Sequence, residues 1–182
     1  VVYWHTEFET VVEDIKALRD EGVSGVVIGC LTPDGRIDET RTKALVEAAR
    51  PMSVTCHRAF DMTADAREAL EALIRCGIDR VLTSGQRDTA VEGLAILKDA
   101  VAQAAGRIVI MGCGALDAEN IRDVRDGAGL AEMHFAALTT VPSGMAFRNP
   151  HVGMGGTEKD REYELTLTDK DAVRATIAAA KS

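Results

Sequence analysis

Residues 66–86 read Ala-Arg-Glu-Ala-Leu-Glu-Ala-Leu-Ile-Arg-Cys-Gly-Ile-Asp-Arg-Val-Leu-Thr-Ser-Gly-Gln, and they contain one complete repeating unit of the predicted fold. Its apolar residues recur at helical spacing as far as Cys76, and Gly77 follows as a helix-ending residue. A short apolar run at residues 80–83 comes next and ends in hydroxyl and glycine residues. A helix followed at once by a short buried strand is the repeating unit of a parallel β/α sheet.

The same kind of apolar run occurs five times, at residues 25–29, 52–55, 80–83, 107–111 and 132–136. The centres of these runs are about 24 to 28 residues apart, which is the length of one strand, one crossover helix and two short loops. Repetition at that spacing predicts five parallel strands.

Helix start and stop residues flank the predicted strands. Thr6 and Glu9 predict a capping box for a first helix that ends at Gly22, and Asp117 is the predicted N-cap of a later helix. A last helix is expected to start at Thr168, with Asp171 in the capping-box position. The helices between them are predicted at residues 66–76, 89–105 and 118–126.

The order of these elements favours a closed barrel over an open sheet. The chain starts with a helix, whereas each helix of a parallel crossover array follows a strand. We therefore predict an α/β fold of the TIM-type (β/α)8 class that lacks about its first three strands, with five β/α units forming one N-terminally truncated domain over residues 1–182. The alternative is an open doubly wound sheet of five strands, but no strand is followed by the GxGxxG pattern of dinucleotide-binding folds.

Composition excludes several classes of function. The net charge of −8 and the lack of a basic stripe argue against nucleic-acid partners. No apolar run approaches the roughly 18 to 20 residues of a membrane-spanning helix. The four cysteines form no CxxC pair and no zinc-type spacing, so we expect a reduced, cytoplasmic protein.

Polar residues collect just after the predicted strands, where ligands bind in parallel β/α folds. After the second strand, His57 and Asp61 are candidate acid or base groups, and His57 is expected to face inward while Cys56 faces the helices. Arg58 either forms an ion pair with Asp61 or contacts a ligand. The fifth strand adds a second inward histidine, His134.

Glycine and hydroxyl residues at the other strand ends are candidates for ligand binding. Ser84 and Gly85 follow the third strand, and Gly112 and Gly114 flank Cys113 after the fourth, where backbone N–H groups could hold an anion. A long connection after the fifth strand contains Arg148, a further ligand-binding candidate, and the glycine-rich residues 154–156.

Five strings resemble the copper homeostasis protein CutC family in order and spacing. They are GVVIGCLTPDGRID at residues 25–38, VTCHRAFDM at 54–62, DRVLTSGQ at 79–86, AENI at 118–121 and RNPHVGMGG at 148–156. The resemblance implies a cytoplasmic β/α barrel, a homodimer when full length, and a role in copper handling with Cu(I) as a bound ion. The cysteines that usually count as copper ligands in this family lie on strands upstream of this chain. Cys56 stands where the family has an aromatic residue, and Cys113 lies in a run where the family has glycine-rich or proline-glycine sequence.

Two functions follow. Cu(I) is a soft ion that favours sulfur ligands, so Cys30 and Cys113 are candidate ligands in a copper-handling protein without turnover. The alternative is an enzyme acting on a small anionic or phosphorylated metabolite, with His57 and His134 as acid-base groups. The sequence leaves open whether the protein is an enzyme.

Overall fold

A computed structural model describes residues 2–153 and 161–182. Six α-helices occur in this part of the chain: α1 His5–Asp20, α2 Glu39–Ala49, α3 Ala66–Cys76, α4 Leu94–Ala104, α5 Ile121–Ala128 and α6 Lys170–Lys181. Its strands are β1 Gly25–Ile28, β2 Ser53–Cys56, β3 Arg80–Thr83, β4 Val109–Gly112, β5 Glu132–Met133, β6 Leu138–Pro142 and β7 Glu164–Thr168. A short 3-10 helix, Arg58–Met62, directly follows β2. No helix in the described ranges is long and apolar enough to cross a membrane.

The first five strands form one sheet in the order β1-β2-β3-β4-β5, and every neighbouring pair is parallel. A doubly wound sheet reverses its strand order at a switch point, whereas this order runs in one direction as it does in a barrel. The five-unit β/α prediction is therefore confirmed, and the open doubly wound alternative is not.

The two faces of the sheet differ in burial. Val54, Cys56 and Val81 have almost no exposed surface and pack toward the helices. The opposite, inner face is partly open, and Val27 on this face is 61% exposed. The prediction that Cys56 faces the packing layer is confirmed by this alternation, whereas His57 follows the end of β2 and its inward direction stays a prediction.

A polar contact crosses the inner face. The Arg80 guanidinium donates to both carboxylate oxygens of Glu132 and, at 3.4 Å, to the hydroxyl of Ser53. These residues belong to β3, β5 and β2, so the inner side chains of these strands share one surface. Both partners of the ion pair are less than half exposed.

Several predicted helix starts were wrong because polar side chains build separate turns. The Trp4 N–H donates to Glu7 Oε2 at 2.8 Å, so α1 begins at His5 rather than after a Thr6 cap. Asp117 Oδ1 accepts two backbone N–H groups in a turn that precedes α5, and α5 begins only at Ile121.

Two further boundaries shift for the same reason. Thr89 and Glu92 bond each other's backbone N–H groups in a turn of their own, and α4 begins at Leu94. Asp169, rather than Thr168, caps α6, because its Oδ1 accepts from the N–H groups of Asp171 and Ala172.

The long connection after the fifth strand is less irregular than expected. β5 is shorter than the predicted run at residues 132–136, and β6 and β7 form an antiparallel pair from Leu138↔Thr168 to Pro142↔Glu164. All of β7 is exposed. The predicted glycine-rich residues 154–156 lie outside the described residues.

Candidate functional site

The Asp61 carboxylate is the centre of a hydrogen-bond network at the carboxyl end of the sheet. Its Oδ1 accepts from Thr83 Oγ1 at 2.5 Å and from the N–H groups of Ser84 and Gln86 at 3.2 and 3.1 Å. Its Oδ2 accepts from Arg58 Nε at 2.7 Å and from Ser84 Oγ at 3.0 Å. We call these five residues the Asp61 network. It ties the 3-10 helix after β2 to the loop after β3.

Arg58 extends the network toward solvent. The predicted ion pair between Arg58 and Asp61 is confirmed, with the Asp61 side chain 7% exposed and that of Arg58 47% exposed. Arg58 Nη2 also donates to Ser84 Oγ at 2.6 Å and to the carbonyl of Arg87 at 3.1 Å. A guanidinium fixed on one edge and open on the other is suited to contact a ligand.

Burial raises the pKa of Asp61, but hydrogen bonds from Thr83 and Arg58 and from the backbone of Ser84 and Gln86 oppose burial and hold the pKa below its usual range. The carboxyl is therefore ionised at neutral pH. An ionised carboxylate that accepts all these hydrogen bonds fixes the loop after β3 in place. It has no proton to give and is therefore poorly suited to act as a general acid.

His57 lies at the start of the 3-10 helix. Its Nδ1 accepts from the N–H of Ala59 at 3.0 Å, and its ring packs on Gly29 so closely that a Cβ there would lie 2.4 Å from His57 Cε1. Burial lowers the pKa of His57. The neutral imidazole with one nitrogen bound to the backbone therefore caps this turn.

A cavity of about 430 Å³ opens beside the network, between the ends of β4 and β5 and helix α6. Gly114 and His134, both predicted site residues, line it together, and the His134 side chain is exposed. Gly114 also touches the Asp61 network, because a Cβ at this position would lie 2.9 Å from Ser84 Cβ. The cavity and the network are therefore adjacent parts of one candidate site.

The other predicted glycines have packing roles in this fold. A Cβ on Gly85, whose φ is +73°, would lie 2.3 Å from the carbonyl oxygen of Gly93. A Cβ on Gly112 would lie 2.6 Å from Leu130 Cδ1. Their predicted ligand contacts stay predictions.

The two histidines that were predicted to face inward do not lie next to each other. His57 follows β2 and His134 follows β5, so three strand spacings, about 14 Å, separate the strand ends. The described residues show no hydrogen bond between the two rings. The two imidazoles could contact opposite ends of one small molecule but could not share a single proton.

The predicted metal ligands are likewise apart. Cys30 follows β1 and Cys113 follows β4, again about three strand spacings, or 14 Å, along the sheet, which is too far for both thiols to bind one ion. Burial raises the pKa of each thiol to about 11. Within residues 2–153 and 161–182, no group of three or more His, Cys, Asp or Glu side chains could hold a metal ion. Cys30 and Cys113 thus do not form a shared copper site.

Arg148 lies away from the other candidates, on the β6–β7 hairpin. Its guanidinium stacks 4.3 Å from the centre of the Tyr163 ring and donates to the carbonyl oxygens of Tyr163 and Ser143. Sequence reasoning missed Thr83 and Gln86 as network members. The one signal for them was their place in the polar run that follows β3.

Comparison with known proteins fits this arrangement. The family model described as "CutC family" matches residues 1–139. The chain belongs to the CutC family. A family protein CutC from Mesorhizobium japonicum is 64% identical over 181 residues, which is all of this chain and 70% of the relative. The human copper homeostasis protein cutC homolog is 42% identical over 181 residues, which is all of this chain and 66% of the relative.

Solved structures agree with the fold. The crystal structure of a CutC protein from Streptococcus agalactiae superposes with a TM-score of 0.69 at 28% identity, covering 73% of this chain and 65% of that one. A native KDPGal structure gives a TM-score of 0.53 at 19% identity, covering 93% of this chain and 64% of that one, and this likeness concerns the fold alone. The CutC family chain here thus spans about two thirds of the length of its relatives.

Proposed function

We propose that the protein takes part in copper homeostasis and handles Cu(I) as a cargo ion. The observation that carries this proposal is the match to the CutC family along most of the chain, together with the human relative that is named a copper homeostasis protein. The alternative of a metabolite-processing enzyme has no comparable support, since His57 caps a turn and Asp61 is held ionised.

Cys30 and Cys113 are soft ligands that lie just after the carboxyl ends of β1 and β4. Because they are too far apart to share an ion, each thiol would need a second donor other than its counterpart to bind Cu(I). Both thiols are buried, so each would hold the ion inside the protein rather than at its surface.

Anaerobic titration with Cu(I) against a chelator of known affinity tests the proposal. We expect Cys30→Ser and Cys113→Ser each to weaken binding, whereas Cys76→Ser, at the end of α3, is the matched control and leaves it unchanged. Since the pKa of both thiols is about 11, binding releases protons and its affinity rises toward tenfold per pH unit below that value. A protein that carries both Cys30→Ser and Cys113→Ser and binds Cu(I) as tightly as wild type would refute direct binding by these thiols.

Two further properties belong to the proposal. All four cysteines are free thiols, which is consistent with a cytoplasmic location. We also propose a homodimer for the full-length protein. Light scattering that gives a monomer at micromolar concentration would refute the dimer.

A further inference from the structure

We propose that the cavity between β4, β5 and α6 binds the phosphate group of a small molecule. The cavity is lined by residues 114–117, residues 134–138, Ala172 and Thr176. Its volume of about 430 Å³ is within the range of small-molecule sites, and it exceeds what a bare phosphate ion would fill. The proposal is independent of copper handling.

Three consecutive residues whose backbone N–H groups are free within the described part of the chain line this cavity. The N–H groups of Gly114, Ala115 and Leu116 donate none of the hydrogen bonds recorded between described residues. Gly114 and Ala115 have φ values of +101° and +52°. Consecutive N–H groups in such a turn form an anion-binding concavity, and phosphate oxygens are strong acceptors for them.

Residues with strained backbone conformations also line this cavity. Ala137, on the opposite wall, has a φ of +47°, so two non-glycine residues in the left-handed region face this one space. Residues held in that region cluster at ligand sites, where the surrounding structure fixes them. The Ala137 carbonyl accepts from the N–H of Asp169, which anchors the first turn of α6 at the cavity.

The lining side chains offer an anion one donor and one opposing charge. His134 lines the cavity with an exposed imidazole that donates to a phosphate oxygen. Asp117 also lines it, and this carboxylate opposes an anion. Its Oδ1, however, accepts from the N–H groups of Glu119 and Asn120, which holds it toward the start of α5. Thr176 donates its hydroxyl to the Ala172 carbonyl and adds no charge.

The location also agrees with the general behaviour of this fold. The loops after strands seven and eight of parallel β/α barrels commonly bind phosphate, and β4 and β5 would occupy those places if three strands precede β1, as the sequence predicts. The phosphate would lie close to the Asp61 network, since Gly114 packs against Ser84, a member of that network. The rest of the ligand would then extend toward Arg58.

The test is a titration of the ¹⁵N-labelled chain with inorganic phosphate, glycerol 3-phosphate, sulfate and acetate at constant ionic strength. We expect the amide signals of residues 114–116 to shift with glycerol 3-phosphate at millimolar concentration or below. The monoester should bind more tightly than sulfate or acetate. Unmoved signals at these amides, or equal binding of all four anions, would overturn the proposal.

Two histidine variants separate a local role from a general charge effect. His134→Gln should weaken binding of the monoester about tenfold, which is the loss of one charge-assisted hydrogen bond. His5→Gln is the matched control, because His5 is 82% exposed on α1 and far along the chain from the cavity. Amide spectra of both variants report whether they fold. A folded His134→Gln protein with wild-type affinity would refute the role of the imidazole.

Discussion

Replacing Asp61 by alanine tests whether the Asp61 network holds the site together. The change leaves the Thr83 hydroxyl, the N–H groups of Ser84 and Gln86, and Arg58 Nε without their acceptor. A buried group without a partner costs about 1–3 kcal/mol, and breaking a buried charged pair costs about 3–5 kcal/mol. Arg58 is 47% exposed, so water replaces part of its contact and the lower end applies. We expect Asp61→Ala to lose about 3 kcal/mol.

Urea unfolding followed by circular dichroism at pH 7 measures this loss. Asp99→Ala is the matched control, because Asp99 pairs with Arg67 at 3.1 Å but both side chains are more than half exposed. An exposed pair of this kind contributes about 0–1 kcal/mol. A loss below about 1 kcal/mol for Asp61→Ala, or equal losses for the two variants, would refute the reasoning.

Asp61→Asn separates charge from shape. An asparagine keeps one oxygen for Thr83 and Gln86 but directs an NH₂ group at Arg58 Nε. The Asp61→Asn protein should therefore lose less stability than Asp61→Ala and more than Asp99→Ala. The pKa of Asp61 is lowered on folding. The wild type should therefore have the higher free energy of unfolding at any pH above about 4. This difference from Asp61→Asn should disappear as the pH falls through the pKa of Asp61 in the folded protein.

Three further variants test individual loops and caps of the fold. Gly93→Ala should destabilise by about 3 kcal/mol in urea unfolding, because its Cβ would lie 1.8 Å from the Ser84 carbonyl oxygen; a wild-type midpoint would contradict this. Ala105→Gly should stabilise by about 0.5–1 kcal/mol, because Ala105 ends α4 with a φ of +47°, and a lower melting temperature would argue against it. Burial lowers the pKa of His57, so wild type should lose stability as the pH falls below about 6.5, and His57→Asn should show a flatter pH profile. Parallel profiles for wild type and His57→Asn would exclude that contribution.

The sheet was predictable from sequence because burial on its helix-facing side leaves a strong pattern. The run at residues 80–83 matches β3 residue for residue, and Cys56 lies in the packing layer as its spacing from Val54 requires. Fold class follows from the repetition of such runs. The hairpin was missed because residues 143–163 separate two largely exposed strands that neither the core nor a short turn defines.

The candidate site was predictable only in part. The ion pair of Arg58 with Asp61 is local, so its spacing of three residues was enough to suggest it. The bonds from Thr83 and Gln86 to Asp61 join residues 22 and 25 positions apart and depend on the pairing of β2 with β3. The distance between Cys30 and Cys113 depends in the same way on strand order. Sequence spacing alone contains no information on either.

Gly114 has a consequence for how the two parts of the site respond to each other. The residue leaves no room for a side chain on its Ser84 side, and its backbone forms part of the cavity wall. A molecule that pushes this segment by a few tenths of an ångström would displace Ser84, and with it the serine hydroxyl that Arg58 contacts. Occupancy on one side of Gly114 would thus be communicated mechanically to the arginine on the other.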